Sequence, residues 1–509
     1  MLRSSFRKFV AALSVVGMVA WSAAQGTLIV AQGTDAVTLD PHDVTDSPSA
    51  TVVSHMYETL FELTPEGDIV PHLAESYEFS EDGMTVTLQI RQGVTFHDGT
   101  PLTAEIVKGS LDRFLDLENA FTFRFLLSTI TNVEVTGSHT VVLTLATQFA
   151  PLLAHLTHNS TAIVLPAAVE QYGEAFGENP VGTGPFSFVS WARGERIDLA
   201  RYDGYWGNQP GIDGVRFLAV AENTTRMALV ETGEAHVAVR VPPQDIARLS
   251  ANPAVTVENV SSLRTIFIYF NHLQEPFTDV RVRQALNYAV NKQDIAEFVL
   301  GGAVRVSDAP VAPGIFGYTP VGSYDYDPER ARELLAEAGY PDGFTTTLYS
   351  PTGRYLQDIQ VSEAIQSQLA EVGITATIET LEWSAYLAKT NEGPDTNEVP
   401  FAMLGWGTVT GDADYGLYAL FHTSQHRPNG SNRAFYSNTS VDALLDQART
   451  NPDAALRQQL YADAMQLIWD DAAWLFLHSE TQLVAVRDGV EGLVIHPTER
   501  VLAFNVTLR

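Results

Sequence analysis

The spacing of apolar and polar residues predicts both strands and helices in this chain. Residues 265–270 form an apolar and aromatic run that is typical of a buried strand. From Val282 onwards, apolar residues recur every three or four positions, which predicts a helix that Asp279 caps and Gly301 ends. The pair is either a crossing between two lobes or an ordinary junction inside one domain, and periodicity does not decide between them.

The second half of the chain contains a strand-helix-strand pattern. The predicted elements are strand 344–350, helix 355–372, strand 374–380 and a further strand at 399–406. A βαβ unit implies parallel strands joined by a right-handed crossover. Ligands of open α/β sheets lie beyond the carboxyl ends of the strands, so segments 350–354 and 407–415 are candidate binding segments.

The first half reads as mixed α+β structure. It opens with a strand at 27–32, a polar loop that suits binding groups, and a helix-like stretch at 52–61. Thr103 is the expected cap of a helix over 103–117. Other predicted strands are 84–91, 139–147, 186–191, 195–202, 215–221 and 481–487, and other predicted helices begin at Pro328 or cover 441–449 and 453–469.

Length and the N-terminus shape the domain organisation. The 509 residues exceed the about 250 to 300 residues at which one hydrophobic core stops growing, so two or three domains are expected. Residues 1–24 combine a cationic start, a short apolar run and the small residues Ser22 to Ala24. This pattern predicts a secretory signal peptide that is cut after about Ala24. An uncleaved membrane anchor is the alternative.

Composition excludes several classes of function. The chain contains no cysteine, which rules out disulfides, thiol catalysis and the acylated cysteine of lipoproteins. Its 30 Lys and Arg residues against 61 Asp and Glu give a net charge of −31, which repels nucleic acid and anionic lipid. The acidic surface serves either solubility or recognition, and solubility is the simpler interpretation.

Motifs of known enzymes are absent from the sequence, including phosphate-binding loops, the serine-hydrolase elbow and the zinc-protease helix. The sequence therefore predicts a protein that is not an enzyme and needs no cofactor. A secreted hydrolase is a remote alternative. The pairs His155/His158 and His422/His426 have helical spacing, but two ligands do not make a metal site, and surface or structural roles are the simpler interpretation.

Glycines, an aromatic residue and acids come together after the strand at 399–406. Trp406 offers a flat apolar wall, and Asp412 and Asp414 could take an ammonium group. Arg354, beyond the other strand end, could bind a carboxylate with two parallel hydrogen bonds. The two segments would suit a zwitterion such as a peptide. The alternative is a glycine-rich turn beside a solvated arginine.

Four long stretches carry a resemblance to a known family. They are LAESYEFSEDGMTVTLQIRQGVTFHDGTPLTAE (73–105), NPVGTGPFSFVSWARGERIDLARYDGYW (179–206), PFTDVRVRQALNYAVNKQDI (276–295) and YDPERARELLAEAGYPDGF (326–344). In this order they resemble the extracytoplasmic solute-binding proteins, family 5, of dipeptide, oligopeptide, nickel and glutathione ABC importers. The likeness extends over essentially the whole chain after residue 24.

Within that family the pattern is most similar to the glutathione-binding components. The segments that carry this likeness are TLDPHDVTDSPS (38–49), NTTRMALVETGEAHVA (223–238), GWGTVTGDADYGLYALF (405–421) and AFYSNTSVDALL (434–445). One departure matters: peptide binders of the family hold the α-amine with an aspartate, and that position falls here at Val409 or Thr410. This weakens an ordinary dipeptide as the ligand.

The resemblance implies an α/β fold of two lobes, similar to the type II periplasmic binding proteins of the large peptide-binding class, with an extra α+β subdomain. The implied division is 25–264 for the first lobe, about 50–180 for its subdomain, 265–486 for the second lobe and 487–509 for a return to the first lobe. A monomeric periplasmic protein would then capture glutathione or a similar short peptide between the lobes and pass it to a membrane permease.

Two alternatives keep the same scaffold, with a dipeptide or oligopeptide, or a nickel complex, as the ligand. The candidate ligand-binding residues are Arg354, Trp406, Thr408, Asp412, Asp414, Tyr415, Arg433, Tyr57 and Asn271.

Overall fold

The computed structural model describes residues 26–428 and 430–509. The predicted signal peptide at 1–24 lies outside the described residues. Within the described part of the chain, no helix is both long and apolar enough to cross a membrane.

The strands in the first half of the chain are β1 (Thr27–Gln32), β2 (Phe61–Leu63), β3 (Ile69–Pro71), β4 (Ala74–Phe79), β5 (Thr85–Ile90), β6 (Ile130–Gly137), β7 (Thr140–Leu145), β8 (Phe186–Ala192), β9 (Arg196–Arg201), β10 (Gly214–Ala219) and β11 (Val237–Val239).

A long strand then begins the second half. The strands from there on are β12 (Val255–Phe270), β13 (Val304–Val306), β14 (Thr345–Pro351), β15 (Thr375–Leu381), β16 (Phe401–Gly407), β17 (Trp474–Arg487), β18 (Val490–Glu491), β19 (Val494–Ile495), β20 (Val501–Leu502) and β21 (Thr507–Leu508).

Helices alternate with these strands. They are α1 (Ser47–Val53), α2 (Ala104–Leu115), α3 (Leu152–His155), α4 (Pro166–Tyr172), α5 (Asn223–Thr232), α6 (Ile246–Ser250), α7 (Val280–Ala289), α8 (Lys292–Asp294), α9 (Pro328–Glu337), α10 (Asp358–Glu371), α11 (Trp383–Thr390), α12 (Ala413–Phe421), α13 (Thr439–Thr450) and α14 (Ala454–Asp470).

One large mixed sheet runs through the molecule in the order β15-β14-β16-β12-β17-β11-β1-β10-β9-β8, with β13 paired to β17. Its two central strands, β12 and β17, are antiparallel and belong to both lobes. The Phe267 ring stacks on the Trp474 ring at a centroid distance of 3.4 Å, and both side chains are buried. The apolar core therefore continues through the centre of the sheet.

The two central strands exchange partners where the lobes meet. Residues 264–270 of β12 pair with β16, whereas the pairing of β12 with β17 is interrupted between Ser261 and Thr265. On β17, Val484–Val486 pair with β11. The exchange on β12 thus falls between Ser261 and Thr265, and on β17 it comes before Val484. The lobe boundaries at 264/265 and 486/487 stay predictions.

A separate antiparallel sheet forms in the region predicted as a subdomain. Its order is β4-β5-β7-β6, and α2 packs beside it. The apolar residues that alternate along β5 are buried, as the pattern predicts, and Thr103 caps α2 by accepting a hydrogen bond from the backbone N–H of Ile106. This sheet is thus separate from the large sheet that runs through the molecule.

The βαβ prediction is confirmed. β14 and β15 are parallel and α10 connects them, and β14 also pairs in parallel with β16. Asp327 caps α9, which has Pro328 in its first turn, and Asp279 caps α7. The carboxyl ends of β14 and β16 therefore meet at one edge of the sheet, beside Arg354 and Trp406.

Two helix predictions are wrong. The helix expected at 52–61 is α1 (Ser47–Val53), which begins earlier than predicted because Asp46 caps it and Pro48 favours its first turn. The helix expected to run from Asp279 to Gly301 stops at Ala289, because Val290 is extended and Asn291 caps the new short helix α8. A π-helical turn, Ile295–Val299, completes the segment.

Candidate functional site

A cavity lies between the two lobes, at the carboxyl ends of β14 and β16. Arg354 follows β14, and Trp406 belongs to β16 itself. The opposite wall comes from the start of α1, with its cap Asp46 and its first residue Ser47, and from Phe123. The site thus combines residues that are far apart in sequence, and the sheet topology brings them together.

Arginine side chains dominate the wall of this cavity. Those that line it are Arg264, Arg354, Arg427, Arg433 and Arg500. All but the partly exposed Arg500 are buried. Asp46 also lines the cavity, but Ser49 occupies its carboxylate with a backbone N–H at 3.0 Å and a hydroxyl at 2.8 Å. The cavity is therefore a cationic environment.

Two of these arginines lie at the crossing between the lobes. Arg264 Nε lies 2.6 Å from a carboxylate oxygen of Glu499, and Arg264 Nη2 donates to Ser47 Oγ at 2.6 Å. Arg354 also reaches Ser47 Oγ, at a longer 3.4 Å. Burial, with repulsion from Arg264 and Arg240, lowers the pKa of Arg354 to about 10. Arg354 stays cationic at neutral pH although it lacks a close carboxylate partner within the described chain.

Two buried carboxylates, those of Glu480 and Glu499, lie beside this crossing. Burial, followed by the neighbouring Glu499, raises the pKa of Glu480 to about 7. Burial alone would also raise the pKa of Glu499, but Arg264 and Arg240 outweigh it and lower that pKa to about 2. Glu480 accepts a hydrogen bond from the Leu356 backbone N–H, close to Arg354. Glu499 is thus the anion that fixes Arg264.

The other two buried arginines, Arg427 and Arg433, come from the chain after α12. Arg427 Nη1 donates to Thr122 Oγ1 at 3.4 Å, and Arg433 Nη2 donates to Asn391 Oδ1 at 2.5 Å. Neither has an ion-pair partner within residues 26–428 and 430–509. In the same residues, Nε of both arginines and Nε and Nη1 of Arg354 lack a hydrogen-bond partner. Such buried donors favour an anionic ligand.

Aromatic residues form the remaining wall. The Trp406 ring lies 4.9 Å from the Tyr415 ring and 6.0 Å from the Phe123 ring. Across the lobe interface, the Tyr415 hydroxyl and His158 Nε2 are 3.0 Å apart. Burial, followed by the nearby His155, lowers the pKa of His158 to about 3, so this imidazole is neutral. The candidate residues Arg354, Trp406, Tyr415 and Arg433 therefore share one cavity.

Asp412 and Asp414, expected to take an ammonium group, have other partners. Asp412 caps α12 and lies 2.7 Å from Arg457 Nη2. Asp414 is fully buried between Arg449 Nε and His155 Nε2, each 3.1 Å from one of its oxygens. Both carboxylates are neutralised by internal cations, so the expectation that they bind ligand directly is corrected.

The other three candidates lie outside the cavity wall. The backbone N–H of Thr408 donates to Leu263, and its side chain is buried beneath the wall. The Tyr57 hydroxyl accepts from the Val181 backbone N–H in the first lobe. Asn271 bonds to its neighbours at the end of β12, with Nδ2 donating to Val399 O. These residues support local structure.

Sequence reasoning missed Asp46, Arg264, Arg427 and Arg500. Asp46 belongs to the polar loop after β1, which was marked as a place for binding groups, so a signal for it existed. The three arginines stand in segments without a motif, and they reach the cavity through tertiary folding.

Comparisons with known proteins agree with this architecture. The family model described as bacterial extracellular solute-binding proteins, family 5 Middle, matches residues 68–427. The chain is 36% identical over 497 residues to the glutathione-binding protein GsiB of Pectobacterium atrosepticum, and the match covers 96% of each chain.

Solved structures of similar proteins share this architecture. The periplasmic binding protein DppA of Helicobacter pylori, in complex with the peptide STSA, superposes with a TM-score of 0.88 and 29% identity, covering 95% of this chain and 98% of that one. The binding protein AgaA of A. tumefacien R10, in complex with agropinic acid, gives a TM-score of 0.87 and 28% identity, covering 95% and 99%.

The buried ion pairs of Asp414 generate a pH-dependent prediction. Burial would raise the pKa of this carboxyl, but Arg449 and His155 outweigh it and hold the pKa below its usual value. Its stabilisation is therefore present above the unfolded pKa of about 3.9 and is lost as the pH falls towards the folded pKa. Asp414→Asn should lower the free energy of unfolding by about 3 kcal/mol at neutral pH, because Arg449 loses its counter-charge.

Urea unfolding of the wild type and the variant, at pH 7 and at about pH 3, measures this difference. The difference should shrink at the lower pH, because below the unfolded pKa of about 3.9 the unfolded chain takes up a proton at this carboxyl and the stabilisation by its charge declines. Asp68→Asn, at an exposed position, is the control and should change little at either pH. A difference of equal size at both pH values would contradict the role of the Asp414 charge.

Proposed function

We propose that this chain, which belongs to the bacterial extracellular solute-binding proteins of family 5, captures glutathione or a similar short anionic peptide between its two lobes. The chain is the substrate-binding component of an ABC importer. The proposal concerns the ligand and the residues that hold it.

One observation carries the proposal: buried arginines that line the interlobe cavity have N–H groups without protein acceptors among the described residues. A buried, unpaired cation is costly, and a ligand carboxylate relieves that cost by accepting charge-assisted hydrogen bonds. Trp406 and Tyr415 add an apolar wall against which a cysteine or other small side chain can pack.

Relatives support a short peptide as the ligand from a second direction. The relative from Pectobacterium atrosepticum is named a glutathione-binding protein, and the Helicobacter pylori structure holds a four-residue peptide. The absence of an aspartate at Val409 and Thr410 argues against the α-amine site that ordinary dipeptides use. Glutathione has two carboxylates and a γ-linkage, and it suits a cationic cavity better.

In the proposed mechanism, the protein binds its ligand without chemical change, and the lobes close around it. A dissociation constant near 1 μM corresponds to about 8 kcal/mol, which a few buried charge-assisted bonds and aromatic contacts can supply. The closed shape is then recognised by the permease, and the protein works as a monomer.

The proposed location is the periplasm, after removal of residues 1–24 and without a lipid anchor. The mass of the protein from the periplasmic fraction of an expressing bacterium measures this. It should match a chain that begins near Gln25, whereas a full-length or membrane-bound chain would contradict cleavage.

Calorimetric titration tests the ligand and the role of Arg354. Glutathione should bind, and ordinary dipeptides should bind more weakly because they offer fewer carboxylates. Arg354→Ala should weaken the binding of glutathione at least tenfold, about 1.4 kcal/mol, since a buried ligand carboxylate loses its cation. Arg332→Ala, at an exposed arginine outside the cavity, is the control and should bind like the wild type.

The remaining outcomes separate the alternatives. If glutathione gives no heat while dipeptides or a nickel complex bind, the scaffold stands and the ligand class is wrong. If glutathione is recovered as fragments after incubation, the protein is a hydrolase. Unchanged affinity in Arg354→Ala would remove this arginine from the site.

A further inference from the structure

We propose that Arg427 and Arg433 form a second anion-binding site, so that the protein selects ligands with a carboxylate at each end. We call Arg264 and Arg354 the hinge arginines, and Arg427 and Arg433 the distal arginines. This inference rests on the proposed function, because it refines which short anionic ligands the cavity accepts.

The distal arginines have the features of a built anion site. Both side chains are more than nine-tenths buried and line the same cavity as Arg354. Their protein contacts are neutral: Thr122 for Arg427 and Asn391 for Arg433. Nε of each lacks an acceptor in the described part of the chain. Two buried cations side by side, without a carboxylate, leave room for an anion that the protein does not supply.

Neighbouring charges agree with this grouping. Burial lowers the pKa of Arg427 well below its usual value, and the next contribution is repulsion from Arg433. Burial likewise lowers the pKa of Arg354, and the next contributions come from Arg264 and Arg240. Among the cavity arginines, Arg433 therefore affects the pKa of Arg427 most, and Arg264 affects that of Arg354 most.

Helix α11 contacts one arginine of each group, one at each of its ends. The guanidinium carbon of Arg354 lies 5.0 Å from the centre of the Trp383 ring, at the first residue of the helix. Arg433 bonds to Asn391, which follows the last residue of the helix. Eight helical residues span about 12 Å at 1.5 Å per residue. Leu387, in the middle of this helix, lines the cavity between the two groups.

We infer a separation of this order between the two groups, which fits a ligand of about three residues. An extended chain covers about 3.3 to 3.6 Å per residue, so three residues reach about 10 to 11 Å and two reach about 7 Å. A tripeptide with a carboxylate at either end can therefore contact both groups at once, whereas a dipeptide reaches only one. The separation of the two groups therefore selects ligands that carry a second carboxylate at about this distance from the first.

A matched set of ligands and variants tests the second site by calorimetry. The ligands are glutathione, its glycine amide, and the analogue in which 4-aminobutyrate replaces the γ-glutamyl residue. Each analogue lacks one of the two carboxylates. The variants are Arg433→Gln, Arg427→Gln and Arg354→Gln, with Arg332→Gln as the control at an exposed position.

In the wild type, removal of either carboxylate should weaken binding about tenfold. In Arg433→Gln, glutathione should bind about tenfold more weakly, and one of the analogues should bind no worse than glutathione does. In Arg354→Gln the other analogue should behave this way. Each carboxylate thus depends on one arginine group only, which a general loss of folding would not produce.

Thermal unfolding without ligand guards against a folding defect. Arg433→Gln and Arg427→Gln should unfold no earlier than the wild type, because each removes a buried cation that has no counter-charge. The comparison of the three ligands on the wild type does not depend on the folding of any variant. The inference is overturned if both distal variants bind glutathione like the wild type, or if both carboxylates depend on Arg354.

A second pair of probes separates this inference from the proposed function. Sebacate has carboxylates far enough apart to reach both groups, and decanoate has the same length with one carboxylate. If glutathione does not bind, the proposed function fails. The second site then still predicts that sebacate raises the unfolding temperature more than decanoate, and that Arg433→Gln removes the difference; equal effects of the two acids would overturn it.

Discussion

Buried guanidinium groups without counter-charges are the constraint around which the interlobe site is organised. Burial of an unpaired cation costs several kcal/mol, and Arg354, Arg427 and Arg433 carry this cost in the structure. Under the proposed function, an anion between the lobes would accept their free N–H groups and remove part of that cost. The same groups would then supply affinity and favour closure of the lobes around a ligand.

The scaffold connects this charge to the position of the lobes. β12 and β17 cross between them, and the crossing on β12 ends at Arg264, which lines the cavity. Glu499 holds Arg264 at 2.6 Å, and Ser47 from α1 bonds to Arg264 as well. A carboxylate that binds Arg354 acts next to residues of both lobes. Asp414, with Arg449 and His155, adds a second contact across the interface.

Sequence patterns predicted local structure and the family better than they predicted the site. Thr103, Asp279 and Asp327 cap helices as expected, because capping is decided within a few residues. Arg354 could be predicted to lie near the cavity because it follows a strand of a recognisable βαβ unit. The internal ion pair of Asp414 was missed because its partner Arg449 lies well beyond it in sequence. Arg427 stands in a segment without a motif, and only tertiary folding brings it to the cavity.

A crystal structure of the protein grown with glutathione tests the central claim most directly, because it shows the atoms that accept the buried arginine N–H groups. The account predicts one ligand between the lobes, with a carboxylate within about 3 Å of the Arg354 guanidinium. A ligand bound elsewhere, or an uncharged part of it facing Arg354, would contradict the account.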